Sequence, residues 1–159
     1  LARLEALVMV FLDHIVLAAL GEENVARRAL LLSHDGAYVS MLSGISRPLA
    51  QKWLIALLTD LTRERDVHYL PIEAVLLEEA LFRKGDRHLA ERLLKSVERV
   101  RTKYEGGASR YGPIRDAVRF EPPDARDLLK IVGRRFDPFF RWASAPVRVD
   151  TQAHQGLLR

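Results

Sequence analysis

The chain has no cysteine among its 159 residues. That excludes disulfide staples and thiolate zinc sites, so any bound metal must be held by histidine and carboxylate. Long apolar runs are also missing. Each is broken by charge well short of the roughly 20 residues that a membrane-spanning helix needs, so no membrane partner is expected. No Lys/Arg-rich segment precedes the first apolar run, so no signal peptide is read and the expected location is cytoplasmic. Low-complexity tracts and a convincing linker are lacking too. The expected organisation is one helical domain over residues 1–145, with a peripheral tail over 146–159.

What is present is an ordinary globular balance of 48% hydrophobic and 29% charged residues, enough apolar material for one core of several helices. The net charge of +4 is uneven: residues 1–60 carry five Lys/Arg against six Asp/Glu, and residues 61–159 carry twenty against fifteen. A basic C-terminal part suits polyanions, whether nucleic acid or free nucleotides.

Leu4, Leu7, Val8, Phe11, Ile15 and Ala18 recur at helical spacing and predict a helix over 4–20, with His14 on its apolar face. A buried histidine needs hydrogen-bond partners or a metal. A second helix is expected over 23–33. His34 and Asp35 follow Leu30 and Leu31 at helical spacing, and Gly36 is placed to cap. Residues 37–62 are expected to hold a short helix, a turn at Ser43-Gly44-Ile45-Ser46 and a longer helix from Arg47 to about Leu61. Pro71 opens a helix to about Phe82, and Asp86 leads into one that runs to Tyr104 with Leu89, Leu93, Val97 and Val100 as its core stripe. Arg92, Lys95, Arg99 and Lys103 line another face of that helix. Gly106 to Gly112 is the clearest loop, and Asp124 to about Phe136 is the last helix, ended by Asp137-Pro138. The expected fold is all-α, a single globular bundle of six to eight helices.

The order His14, then His34-Asp35, then Asp86 on successive apolar helices resembles the HD-domain phosphohydrolase superfamily. Gly44-Ile45-Ser46-Arg47-Pro48-Leu49 looks like a turn of its 5′-deoxyribonucleotidase branch, and Lys84-Gly85-Asp86 is similar to that branch's last aspartate. The resemblance covers about residues 10–100. It implies a metal-dependent phosphohydrolase acting on nucleoside mono- or triphosphates. His14, His34, Asp35 and Asp86 would hold Mn²⁺, Co²⁺, Fe²⁺ or Mg²⁺, with His34 and Asp35 catalytic and Arg47, Lys84 and Arg87 on phosphate. Tyr38 stands where the branch has glutamate, and Ile45 follows the turn glycine where it has aspartate. Those departures leave room for altered or lost activity while the metal set survives.

A different reading of residues 37–62 competes. A short helix, a Gly-Ile-Ser turn and a helix opening Arg-Pro resemble a helix-turn-helix of bacterial regulators. Ile45, Leu49, Trp53 and Leu54 would pack inward, and Arg47, Gln51 and Lys52 would face DNA. This reading implies a non-enzymatic DNA-binding protein, backed by the basic stripe, and it requires the first half of the Arg47 helix to be exposed. A homo-oligomer is compatible with either.

Overall fold

Ala29–Leu32 is a run of four apolar residues that periodicity alone cannot assign. In the computed structural model, which describes residues 2–63, 70–104 and 124–149, it is a strand. Strands β1 (Arg27–Ser33) and β2 (Gly36–Leu42) pair antiparallel, with Ser33 opposite Gly36, so His34 and Asp35 form a two-residue turn. Gly36 follows the turn at φ 138°, a region that only glycine enters freely. The helix expected over 23–33 and the short helix after Gly36 are therefore replaced by a hairpin. Ala29 and Leu31 are buried while Leu30 and Leu32 are 63% and 79% exposed, the two-residue alternation of a strand with one face covered. The all-α expectation is corrected accordingly. The described residues form six helices and one three-stranded antiparallel sheet, a mostly helical α/β fold.

The described chain divides into two units. One comprises residues 2–50 and 142–149. Its helix α1 (Ala2–Leu20) lays Leu7, Phe11, His14, Ile15 and Ala18 inward, the face that the sequence periodicity marked, and packs on β1 and β2. Ala29, Leu31, Tyr38, Ser40 and Leu42 supply the buried face of the sheet. Strand β3 (Val147–Arg148) falls in what the sequence suggested was a peripheral tail. It pairs with Tyr38 and Val39, giving the order β1-β2-β3. Ser144 tightens this edge: its hydroxyl accepts from Met41 N at 2.8 Å, and its carbonyl accepts from Ser40 Oγ at 2.7 Å. After β2 the chain passes so close to the Asn24 backbone that a Cβ at Gly44 would sit 2.7 Å from the Asn24 carbonyl. Only glycine fits there without displacing main chain.

The other unit comprises residues 51–141. It holds all but the first turn of α2 (Arg47–Arg63), then α3 (Ile72–Leu77), α4 (Glu79–Lys84), α5 (Leu89–Tyr104) and nearly all of α6 (Ala125–Trp142). The Pro71–Phe82 helix is thus two short helices that break at Glu78. The expected core stripe of α5 is buried throughout, and α5 packs on α3, whose Ala74, Val75 and Leu76 are also buried. Pro138 does not end α6, which runs on to Trp142. Proline has no N–H for the carbonyl four residues back, Arg134, and such an orphan normally costs a helix dearly. Here the Trp53 indole N–H of α2 donates to that carbonyl at 3.0 Å. Asp60, two turns further along α2, accepts from Arg134 Nε and Arg135 Nε at 3.2 Å each. At the far end, Arg83 of α4 donates to the Phe140 carbonyl at 2.5 Å and its side chain lies over the Phe140 ring.

No helix among the described residues is long and apolar enough to cross a membrane. The Gly106–Gly112 loop, most of the charged connection before Pro71 and residues 150–159 lie outside the described residues.

Candidate basic site on the fifth helix

The residues of the expected metal centre are all described, and each is engaged locally. His14 is buried, and its two ring nitrogens are both occupied. Arg27 Nη1 lies 2.8 Å from Nδ1, and the Ser43 carbonyl lies 2.9 Å from Nε2. A guanidinium can only donate and a carbonyl can only accept. Nδ1 is therefore the acceptor and Nε2 carries the proton, so neither nitrogen has a lone pair left for a metal. Burial holds the His14 pKa below that of a free imidazole. The Ser43 bond opposes this shift and the Arg27 charge reinforces it. Arg27 is itself held by Glu22 at 2.6 Å. The buried histidine is thus one link in a Glu22–Arg27–His14–Ser43 chain that ties α1 to the strands.

Asp35, at the tip of the β1–β2 hairpin, points back to α1. It pairs with Arg3, and it accepts from the Tyr38 hydroxyl at 3.0 Å. Arg3 lies over the Tyr38 ring, 3.7 Å from its centre. The Ser33 hydroxyl first, then Tyr38 and Arg3, hold the Asp35 carboxyl below its ordinary range, against partial burial. Tyr38, which stands where the resemblance called for a glutamate, is a clamp on the aspartate. His34 beside it is exposed.

Asp86 belongs to the other unit, where it organises its own turn. Its Oδ1 accepts from His88 N at 2.8 Å and its carbonyl accepts from Leu89 N at 3.1 Å, which starts α5. Among the described residues no group of three or more His, Asp or Glu side chains is placed to hold a metal ion. Neither His14, His34 and Asp35 in the first unit nor Asp86 in the other belongs to such a group. Of the residues expected on phosphate, Lys84 ends α4 exposed, Arg87 is exposed with its Nε on His88 Nε2, and Arg47 is exposed at the start of α2.

The helix-turn-helix is also altered. What precedes the Ser43–Ser46 turn is strand β2, so the first helix of the motif is absent. Ile45 and Trp53 are buried as expected, but Leu49 is 43% exposed. Arg47, Gln51 and Lys52 do face solvent. The Arg47 N–H is taken by Glu23 at 2.8 Å, a side-chain cap on α2 from the loop after α1.

The basic stripe of α5 is where side chains gather around an opening. A cavity of about 230 Å³ is lined by Leu77, Glu78, Arg92, Lys95, Ser96 and Arg99. Arg92, Lys95 and Arg99 recur at three- and four-residue spacing on one face. Glu78, at the break between α3 and α4, is buried; it accepts from the Ser96 hydroxyl and lies 3.7 Å from Arg92. Lys95 is paired with Glu91 at 2.6 Å, and Lys95 holds the Glu91 carboxyl below its usual range. Three cations against one carboxylate line the opening, so it favours an anionic group. The sequence marked Arg92, Lys95 and Arg99. Glu78 and Ser96 escaped it, because nothing in a linear pattern pairs residues 18 positions apart. Compared with protein-family models, curated proteins and solved structures, the chain matches none.

Proposed function

We propose that the chain is a non-enzymatic nucleic-acid-binding protein that grips the phosphate backbone through Arg92, Lys95 and Arg99, without reading base sequence. The observation that carries this is the cation-lined cavity on α5. Its volume of about 230 Å³ falls below the roughly 300–1,000 Å³ of small-molecule sites, which suits one phosphate group better than a whole nucleotide. Seven residues of helix from Arg92 to Arg99 rise about 10.5 Å. Three steps along one strand of a duplex rise about 10 Å, so the three cations can follow a run of phosphates. Exposed Arg47, Gln51 and Lys52 on α2 agree with a nucleic-acid reading, but without a preceding helix they do not make a recognition motif.

Three phosphate contacts give an expected slope of log affinity on log salt of about −2.7 for duplex DNA and about −2.1 for a single strand. Between 50 and 200 mM salt, duplex affinity should fall about 40-fold. Fluorescence anisotropy with unrelated duplexes measures this directly. The Arg92→Ala/Lys95→Ala/Arg99→Ala variant should lose the salt-dependent part for every sequence alike. Glu91→Gln releases Lys95 from its ion pair and should bind tighter. Binding insensitive to salt, or unchanged in the triple variant, would overturn the reading.

A further inference from the structure

Among the described residues the hairpin leaves one strand edge unpaired, and its geometry says which backbone groups face outward. Ser33 and Gly36 flank a two-residue turn and form a hydrogen-bonded pair, so Leu31–Tyr38, Ala29–Ser40 and Arg27–Leu42 are hydrogen-bonded pairs too. The opposite edge of β2 agrees with this parity. The Ala37 carbonyl accepts from Val149 N, and the Met41 carbonyl accepts from Ser144 N, each at 2.8 Å. On β1 the N–H and C=O groups of Arg28, Leu30 and Leu32 therefore point away from the sheet. Among the described residues no strand pairs with that edge. The edge is seven residues long, its outer-face side chains include Leu30 and Leu32, and its only outward charge is Arg28. Such edges are templates for strand addition unless charge, proline or a bulge blunts them, and β1 has no proline and, of its two arginines, only Arg28 on the outward face.

We infer that β1 pairs antiparallel with β1 of a second copy of this chain, on a two-fold axis at Leu30, joining two three-stranded sheets into one of six strands. The occupant follows from self-complementarity. With Leu30 opposite its own copy, Leu32 faces Arg28 of the partner subunit, and all three outward-facing residues on each strand are used in about six main-chain hydrogen bonds. No like charges oppose one another. An axis at Arg28 would set two guanidinium groups face to face and shorten the ladder, and an axis at Leu32 would run into the His34–Asp35 turn. The Leu30 register also extends one apolar row, Leu30–Val39–Val147, across both copies on the exposed face. This isologous arrangement is the commonest symmetry among soluble oligomers. It rests on the strand edge alone and is independent of the α5 cavity.

Sedimentation velocity on the full chain from roughly 1 to 500 µM should show a reversible monomer–dimer equilibrium, as fits a modest interface. Leu30→Lys and Leu30→Glu each set like charges on the axis and should weaken dimerisation about tenfold or more. Mixing the two variants at low salt should restore a one-to-one heterodimer. Leu30→Pro removes an N–H that faces outward and keeps the hairpin ladder, so circular dichroism should stay unchanged while the dimer is lost. A chain that remains monomeric throughout, a dimer indifferent to these substitutions, or a Lys/Glu mixture that fails to re-associate would overturn the inference.

Discussion

The contact between Trp53 and Pro138 offers a sharp test, because two residues in different helices offset one another's defect. Pro138 leaves the Arg134 carbonyl without its intrahelical donor, and Trp53 Nε1 occupies that carbonyl at 3.0 Å. Trp53→Phe keeps most of the buried aromatic surface but removes the donor. It forfeits a net hydrogen bond of about 1 kcal/mol and leaves an acceptor partly buried, which costs about 1–3 kcal/mol. Allowing for partial access of water beside the exposed Arg134 side chain, the expected loss is about 1–3 kcal/mol. Pro138→Ala supplies the missing N–H and relieves the proline, which is worth up to about 3 kcal/mol in a helix interior. In that background Trp53→Phe should cost only its packing difference, about 1 kcal/mol or less. Urea unfolding of the four members of this double-mutant cycle should give a coupling of about 1 kcal/mol, well above the roughly 0.3–0.5 kcal/mol scatter of independent sites. Equal costs of Trp53→Phe in both backgrounds would refute the argument that the indole replaces the proline's missing donor.

His14 makes stability depend on pH with a definite sign. Its folded pKa lies below the unfolded value near 6.5, so the unfolded chain binds the extra proton. Stability should be full above pH 6.5 and fall as pH drops from there towards the folded pKa. In His14→Gln the loss between pH 7.5 and 5 should flatten. An unchanged slope in the variant, or a wild type equally stable at both, would contradict the Arg27–His14–Ser43 arrangement. Divalent metal gives the other check. Since His14, Asp35 and Asp86 have local partners, about 1 mM Mn²⁺, Co²⁺ or Mg²⁺ should leave the Tm unchanged. Binding at a hundredfold over Kd would add about 2.7 kcal/mol, so a rise that Asp35→Ala abolishes would restore the metal centre.

Several elements were legible because one face meets the core and the other meets water. Leu7, Phe11, Ile15 and Ala18, and then Leu89, Leu93, Val97 and Val100, repeat at helical spacing, and all are buried. The hairpin was hidden for the opposite reason. Its outer face carries Leu30, Leu32 and Val39, so apolar residues on both faces erase the alternation that would mark a strand. Asp35-Gly36 between Leu32 and the Tyr38-Val39 pair was the surviving turn signal. The sequence by itself determined that His14 would be buried, that the second half of the chain would be basic, and that Arg92, Lys95 and Arg99 would share a face. Those are matters of local spacing and composition. Only the tertiary structure decided that His14 bonds to Arg27 and Ser43, that Asp35 is clamped by Arg3 and Tyr38, and that α6 continues through Pro138. Each depends on a donor or acceptor brought from a distant segment, and such a partner leaves no trace in the spacing of neighbouring residues.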